Sequence, residues 1–143
     1  MKGIILVIGD KKYDFSWIID KAKEMGMTIE TVENLEKRMK VISEKLYDLS
    51  NKDYDVIFTI GGTGIEGDDI TPEATEKIID KKLPGLEYFI FKETVETAIV
   101  GVFSRLVAGI RGKTFIINLP SKGYEGVFLK IVEAIIEIRK EVS

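Results

Sequence analysis

Apolar residues gather in short β-branched runs that alternate with longer stretches in which they recur every three or four positions. Ile4-Ile5-Leu6-Val7-Ile8 has the length and composition of a buried strand, ending in Gly9-Asp10 at its carboxyl edge. Trp17, Ile18, Ala22 and Met25 fall at helical spacing, with Ser16 as N-cap and Gly26 past the end. Met27 to Val32 predicts a second strand. Asn34 then predicts the cap of a helix carrying Leu35, Met39, Ile42, Leu46 and Leu49 on one face and ending at Asn51. Val56-Ile57-Phe58-Thr59-Ile60 predicts a third buried strand, and Thr71-Pro72-Glu73 reads as a helix start with a hydroxyl cap, proline in the first turn and an acid beside it. That helix is expected to reach Lys81-Lys82, with a turn at Leu83-Pro84-Gly85 and one or two short helices within 86–103. Leu106 to Ile110 and Thr114 to Leu119 flank Arg111-Gly112-Lys113 as a hairpin. A last helix places Val127, Phe128, Ile131, Ile135 and Ile138 on one face, and Trp17 and Phe103 are expected in the core.

This order predicts one α/β domain over residues 1–143, three layers deep: a mostly parallel central sheet made mixed by the hairpin, with helices on both faces. Hydrophobic residues at 45% and charged residues at 31% are the balance of a globular chain able to bury a core. A net charge of −3 argues against a nucleic-acid partner. No apolar run reaches the length of a membrane span, and the run from Ile4 is too short for a signal peptide, so a cytoplasmic location is expected. Cys and His are both absent, which excludes thiolate nucleophiles, cysteine zinc sites and imidazole acid–base catalysis. Carboxylates, lysines, arginines, hydroxyls, backbone amides and an oxygen-ligated cation such as Mg²⁺ remain, a set suited to phosphoryl or nucleotidyl transfer.

The candidate chemistry lies between the third strand and the next helix, where Gly61-Gly62-Thr63-Gly64 is followed by Asp68-Asp69 and Thr71. Glycines let the backbone approach a ligand, and a helix N-terminus favours an anion. A plain tight turn accounts for the glycines but not for two neighbouring acids. Adjacent carboxylates repel bare phosphate, so a bridging cation is the sensible occupant. The loop is read neither as a nucleoside-triphosphate P-loop, since no Lys-Ser/Thr follows the glycines, nor as a dinucleotide fingerprint, whose G-x-G-x-x-G order is expected to be absent.

Three segments together resemble the MogA/MoaB family of molybdenum-cofactor biosynthesis, related to the G domain of gephyrin. They are Thr59-Ile60-Gly61-Gly62-Thr63-Gly64 with Asp69-Ile70-Thr71-Pro72-Glu73-Ala74; Pro84-Gly85; and Ser104-Arg105-Leu106-Val107-Ala108-Gly109-Ile110-Arg111-Gly112 with Ile116-Ile117-Asn118-Leu119-Pro120. The resemblance implies a three-layer α/β domain, a homotrimer, and adenylylation of the pterin dithiolene molybdopterin by Mg-ATP with release of pyrophosphate. It implies Asp69 as catalytic residue and Mg²⁺ ligand, and Gly61, Gly62, Thr63, Gly64 and Thr71 around phosphate. Ser104, Arg105, Asn118, Pro120, Ser121 and Lys122 would line the rest of the pocket. Arg105 reads equally as a surface ion pair, and Asp68 as an exposed turn acid where the family often has Arg. The family's second aspartate, in a Pro-Asp motif after the second strand, is replaced near Val32-Glu33-Asn34: either Glu33 supplies that carboxylate or Asn34 merely caps a helix. The family's glycine after Pro120 is Ser121. Two alternatives follow from these departures: a CinA-like nucleotide pyrophosphatase, and a non-catalytic pterin- or nucleotide-binding oligomeric module.

Overall fold

The structure, a computed structural model, describes residues 1–142. Its elements are β1 (Lys2–Ile8), α1 (Ser16–Met25), β2 (Thr28–Leu35), α2 (Met39–Ser50), β3 (Val56–Ile60), α3 (Thr71–Glu76), β4 (Lys81–Lys82), α4 (Pro84–Thr97), a 3₁₀ turn (Ile99–Phe103), β5 (Ala108–Arg111), β6 (Thr114–Leu119) and α5 (Tyr124–Val142). The strands form one sheet in the order β2-β1-β3-β6-β5-β4. β1 is parallel to β2 and β3, and β3 is parallel to β6, whereas β5 runs antiparallel to β6 and β4 to β5.

Side chains on a strand alternate between its faces, and here each face has its own core. Ile5, Val7, Val56, Phe58, Ile60, Ile117 and Leu119 pack with Ile18 and Ala22 of α1, Ile90 of α4 and Phe128, Ile131 and Ile135 of α5. Ile4, Leu6, Ile8, Ile57 and Ile116 pack with Ile42, Leu46 and Leu49 of α2 and with Ala74 and Ile78. Both faces of β1 and β3 are therefore covered, which is why these strands are unbroken apolar runs. The three-layer mixed α/β architecture is the one the residue pattern predicts.

Several local expectations are corrected. Helix α1 starts at Ser16 with Phe15 at its N-cap and no side-chain cap, so Ser16 is not the cap; its amide and hydroxyl donate to the Asp14 carboxylate at 2.9 and 2.6 Å, and these bonds hold the Asp14 pKa below the ordinary carboxylate value. β2 runs on to Leu35, so Asn34 is a strand residue, and its amide donates to the carbonyls of Gly9 and Lys11 rather than capping a helix. Helix α3 stops at Glu76, and Lys81-Lys82 forms a strand instead of a helix end. Pro84 opens the 14-residue α4 where a turn is expected, because proline in the first turn costs no hydrogen bond. β5 begins at Ala108, two residues later than the apolar run. Trp17 and Phe103 are each 60% exposed and Ile138 is exposed, so none of the three belongs to the core. Trp17 lies outside the α1 face that carries Ile18 and Ala22, and Phe103 ends the short 3₁₀ turn, of which only Gly101 is buried.

One buried polar group couples the strands to α3. Asn118 on β6 is fully buried; its amide donates to the Thr59 and Thr75 hydroxyls, both at 3.0 Å, and its carbonyl oxygen accepts from the Val107 amide at 3.2 Å. Replacing Asn118 with leucine strands those buried partners. A loss of about 2–3 kcal/mol is expected, read as a lower denaturant midpoint with unchanged slope.

Candidate active site

Because β1 sits between β2 and β3, consecutive connections leave β1 in opposite directions, and a crevice opens at the carboxyl ends of β1 and β3. Doubly wound sheets bind ligands at this switch point. A cavity of about 390 Å³ lies there. The segment after β1 (Gly9, Asp10, Lys11, Tyr13), the glycine loop after β3 (Gly61 to Gly64, and Asp69), and the segment after β6 (Pro120, Ser121, Lys122) line it, with Lys37 on one side and Val100, Gly101 and Ser104 on another.

The glycine loop is shaped by contacts no other residue permits. Gly61 and Gly62 have φ of +100° and +70°, in the left-handed region that favours glycine. A Cβ on Gly62 would stand 2.2 Å from the Thr71 hydroxyl oxygen. That hydroxyl is fully buried and donates to the Gly61 carbonyl at 3.0 Å, while the Thr71 amide donates to the Gly62 carbonyl at 3.1 Å. Thr71 thus clamps the loop from behind. It is neither the cap of α3 nor a residue of the cavity wall.

Asp69 faces the cavity with its side chain only 12% exposed. Its Oδ2 accepts from the Glu66 amide at 3.0 Å, and a Cβ on Gly64 would come within 2.8 Å of the same oxygen. Its Oδ1 stands 3.7 Å from the Lys37 ammonium, which is 3.9 Å from the exposed carboxylate of Asp68. Arg105 supports the loop from outside: its guanidinium donates to the carbonyls of Gly64 at 2.8 Å and Asp69 at 2.6 Å and pairs with Glu73. Arg105 is thus the ion pair of the second reading rather than a lining residue of the pocket, and the same side chain also fixes the backbone carrying Asp69. The three bonds leave from three different nitrogens of the planar guanidinium, a spread that lysine's single nitrogen cannot reproduce.

Of the residues singled out from sequence, Gly61, Gly62, Thr63, Gly64, Asp69, Ser104, Pro120, Ser121 and Lys122 are brought together around the cavity. Thr71, Arg105 and Asn118 are not on its wall; they hold the loop, the Asp69 backbone and the strands behind it. Glu33 is turned away, 3.0 Å from the Lys45 ammonium. The β2 connection sends Lys37 to the cavity, a cation where the resemblance leads one to expect a carboxylate. Sequence reasoning missed Lys37, Lys11 and Tyr13. The signal for Lys11 and Tyr13 was their position just after Gly9-Asp10 at the end of β1. The Tyr13 hydroxyl donates to the Ser121 carbonyl at 3.4 Å, its ring stacks on Phe15 and meets Tyr124 edge-on, and the Lys11 ammonium sits over it. Burial pushes the Tyr13 phenol above its ordinary pKa, so it stays a neutral donor.

The glycine spacing also needs correcting. Gly62-Thr63-Gly64-Ile65-Glu66-Gly67 does match the dinucleotide order G-x-G-x-x-G. The surroundings differ from that motif: a Cβ on Gly67 would meet nothing within 4 Å, so this glycine serves no helix–strand packing, and α3 begins only at Thr71.

Three lysines (Lys11, Lys37, Lys122) against two aspartates (Asp10, Asp69) give the cavity wall a cationic excess suited to a phosphorylated ligand. Among the described residues no group of three or more carboxylates is placed to cage a metal ion. Mg²⁺ bound to phosphates needs only one or two protein carboxylates. Asp69, with Oδ2 held by backbone and Oδ1 facing the cavity, fits that mode.

The family pattern described as a probable molybdopterin binding domain matches residues 6–139, and the chain belongs to that family. A molybdopterin adenylyltransferase of Helicobacter pylori is 47% identical over 68 residues, 48% of this chain and 39% of that protein. The molybdenum cofactor biosynthesis protein B of Staphylococcus epidermidis is 35% identical over 97 residues, 65% of this chain and 53% of that protein. The chain spans about half or less of the length of these curated relatives. A MogA structure superposes with a TM-score of 0.82 at 30% identity, covering 96% of this chain and 98% of that one. A molybdopterin biosynthesis protein from Mycobacterium abscessus reaches 0.87 at 22% identity over 99% and 96% of the two chains, a likeness of fold. No described helix is long and apolar enough to cross a membrane.

Proposed function

We propose that this chain works in molybdenum-cofactor biosynthesis as a molybdopterin adenylyltransferase, joining the pterin's terminal phosphate to the α-phosphorus of ATP and releasing pyrophosphate. The observation that carries this reading is the cavity itself: a glycine loop, a nearly buried aspartate and three lysines converging at the switch point of the sheet. The likeness to relatives of that name over just under half of the chain supports it.

A phosphate oxygen is already a nucleophile, so the reaction calls for positioning and charge neutralisation rather than a strong base, in keeping with a chain that has no histidine. The amides of the glycine loop and the ammonium groups of Lys11 and Lys122 would orient the phosphates, and Asp69 Oδ1 would hold Mg²⁺. When bound, that ion neutralises charge on the triphosphate and the departing pyrophosphate. Ser104, Ser121 and Tyr13 offer hydroxyls for the polar parts of the ligand. The homotrimer belongs to the same proposal, and sedimentation reads it.

A second reading, ligand binding without turnover, draws on one observation. No carboxylate follows β2 into the cavity, and Lys37 stands there instead. Pyrophosphate release from Mg-ATP separates the readings. Transfer requires release that depends on added molybdopterin; release without pterin indicates nucleotide hydrolysis, and tight pterin binding with no release indicates a binding module.

A further inference from the structure

Lys37 sits where two cavities meet. It lines the 390 Å³ cavity and also a neighbouring, more open one of about 580 Å³ bounded by Gly9, Asp10, Asn34, Leu35, Glu36 and Asp68. Its ammonium is the cation facing Asp69 Oδ1, at 3.7 Å, and Asp68 holds it from the outer side at 3.9 Å. A carboxylate as little exposed as Asp69 needs a counter-charge, and among the described residues its other oxygen accepts only from the Glu66 amide. Lysine suits this place because it is a compact charge with three donors on a flexible stem, and this side chain is 38% exposed, free to swing.

We infer that Lys37 is a resident cation of the site, a specificity-determining residue that lets the cavity hold a polyphosphate without a divalent ion. This rests on the reading of the cavity as a phosphate site. The ammonium neutralises Asp69 when no metal is present, so the carboxylate does not repel an incoming phosphate, and one of its remaining hydrogens is available to a phosphate oxygen. A divalent ion on Asp69 Oδ1 would occupy the same space and repel the ammonium, so the two cations are alternatives. Among the described residues Lys122 and Lys11 pair with no carboxylate of the site, and their contribution adds to that of either cation.

The test is calorimetric binding of inorganic pyrophosphate to the wild-type protein, Lys37→Met and Lys122→Met, each in excess EDTA and in excess Mg²⁺. Wild-type binding in EDTA is expected within about tenfold of that in Mg²⁺, since the ammonium replaces the ion in a charge-assisted contact. Lys37→Met should lose about tenfold or more in EDTA but little in Mg²⁺, whereas Lys122→Met should lose comparably in both. Equal losses for Lys37→Met in the two media would make Lys37 one more surface charge and overturn the inference, as would no loss in either. Wild-type binding seen only with Mg²⁺ also overturns it while leaving the phosphate site standing. No pyrophosphate binding in any medium removes the phosphate site as well, so the two failures are told apart. Circular dichroism melts confirm that each variant is folded.

Discussion

Asp69→Asn should lower formation of adenylylated pterin by about 100-fold or more while leaving the protein folded, the scale expected when one charge-stabilising group leaves a preorganised site. The substitution is nearly isosteric, and asparagine's carbonyl oxygen can still accept from the Glu66 amide that Asp69 Oδ2 serves. What disappears is the negative charge facing Lys37 and the cavity. Without it neither the ammonium nor a phosphate-bound cation is anchored, so transition-state charge is no longer neutralised at a fixed point. The cost to stability should stay under about 1 kcal/mol, because the ion pair being broken is loose and Lys37 can swing into water. A thermal melt beside a product assay checks both halves. A variant with wild-type turnover would remove Asp69 from the chemistry.

Gly62→Ala should have the largest effect on the fold of any single methyl group added to this loop. At φ +70° a side chain is strained whatever the space, and here the new Cβ would lie 2.2 Å from the Thr71 hydroxyl and 3.1 Å from Ile8 Cγ2. Relief requires breaking the Thr71–Gly61 hydrogen bond, which also carries the start of α3 away from the loop. Strain plus overpacking predicts a loss of about 3 kcal/mol or more, a fall of roughly 10 °C in melting temperature. Gly67→Ala is the control: its Cβ meets nothing within 4 Å, and a change within about 0.5 kcal/mol is expected. Removing the obstructing hydroxyl in Gly62→Ala/Thr71→Ala should leave less than the sum of the two single losses.

The architecture was legible because β1 and β3 are covered on both faces. Full burial demands unbroken β-branched runs, and Ile4–Ile8 and Val56–Ile60 stand out against any background. The loop after β3 was legible for a related reason: positive φ at Gly61 and Gly62 leaves glycine as the residue that fits. β2 is different. As an edge strand it is exposed through much of its length, Val32 included, so its tail carries no alternation, and Asn34 looked like a helix cap when its amide is spent on the Gly9 and Lys11 carbonyls. Misreading that end by three residues hid Lys37, which lies in the run Glu36-Lys37-Arg38 and looks like any solvated charge. Helix α4 was obscured by apolar residues on every side, Tyr88 exposed and Ile90 buried among them, so no single face announced it. Asn118 and Arg105 were read from the motif as lining the pocket, but motif matching cannot tell a group that touches ligand from one that holds the wall. The hydrogen bonds of Asn118 to Thr59 and Thr75, and of Arg105 to Gly64 and Asp69, make that distinction.

The measurement closest to the central claim follows the α-phosphorus of ATP. Wild-type protein, molybdopterin, Mg²⁺ and ATP labelled at that position should give label covalently joined to the pterin, with one pyrophosphate released for each pterin modified. Label recovered only as free adenosine monophosphate, in amounts independent of pterin, would contradict the account and make this cavity a nucleotide pyrophosphatase site.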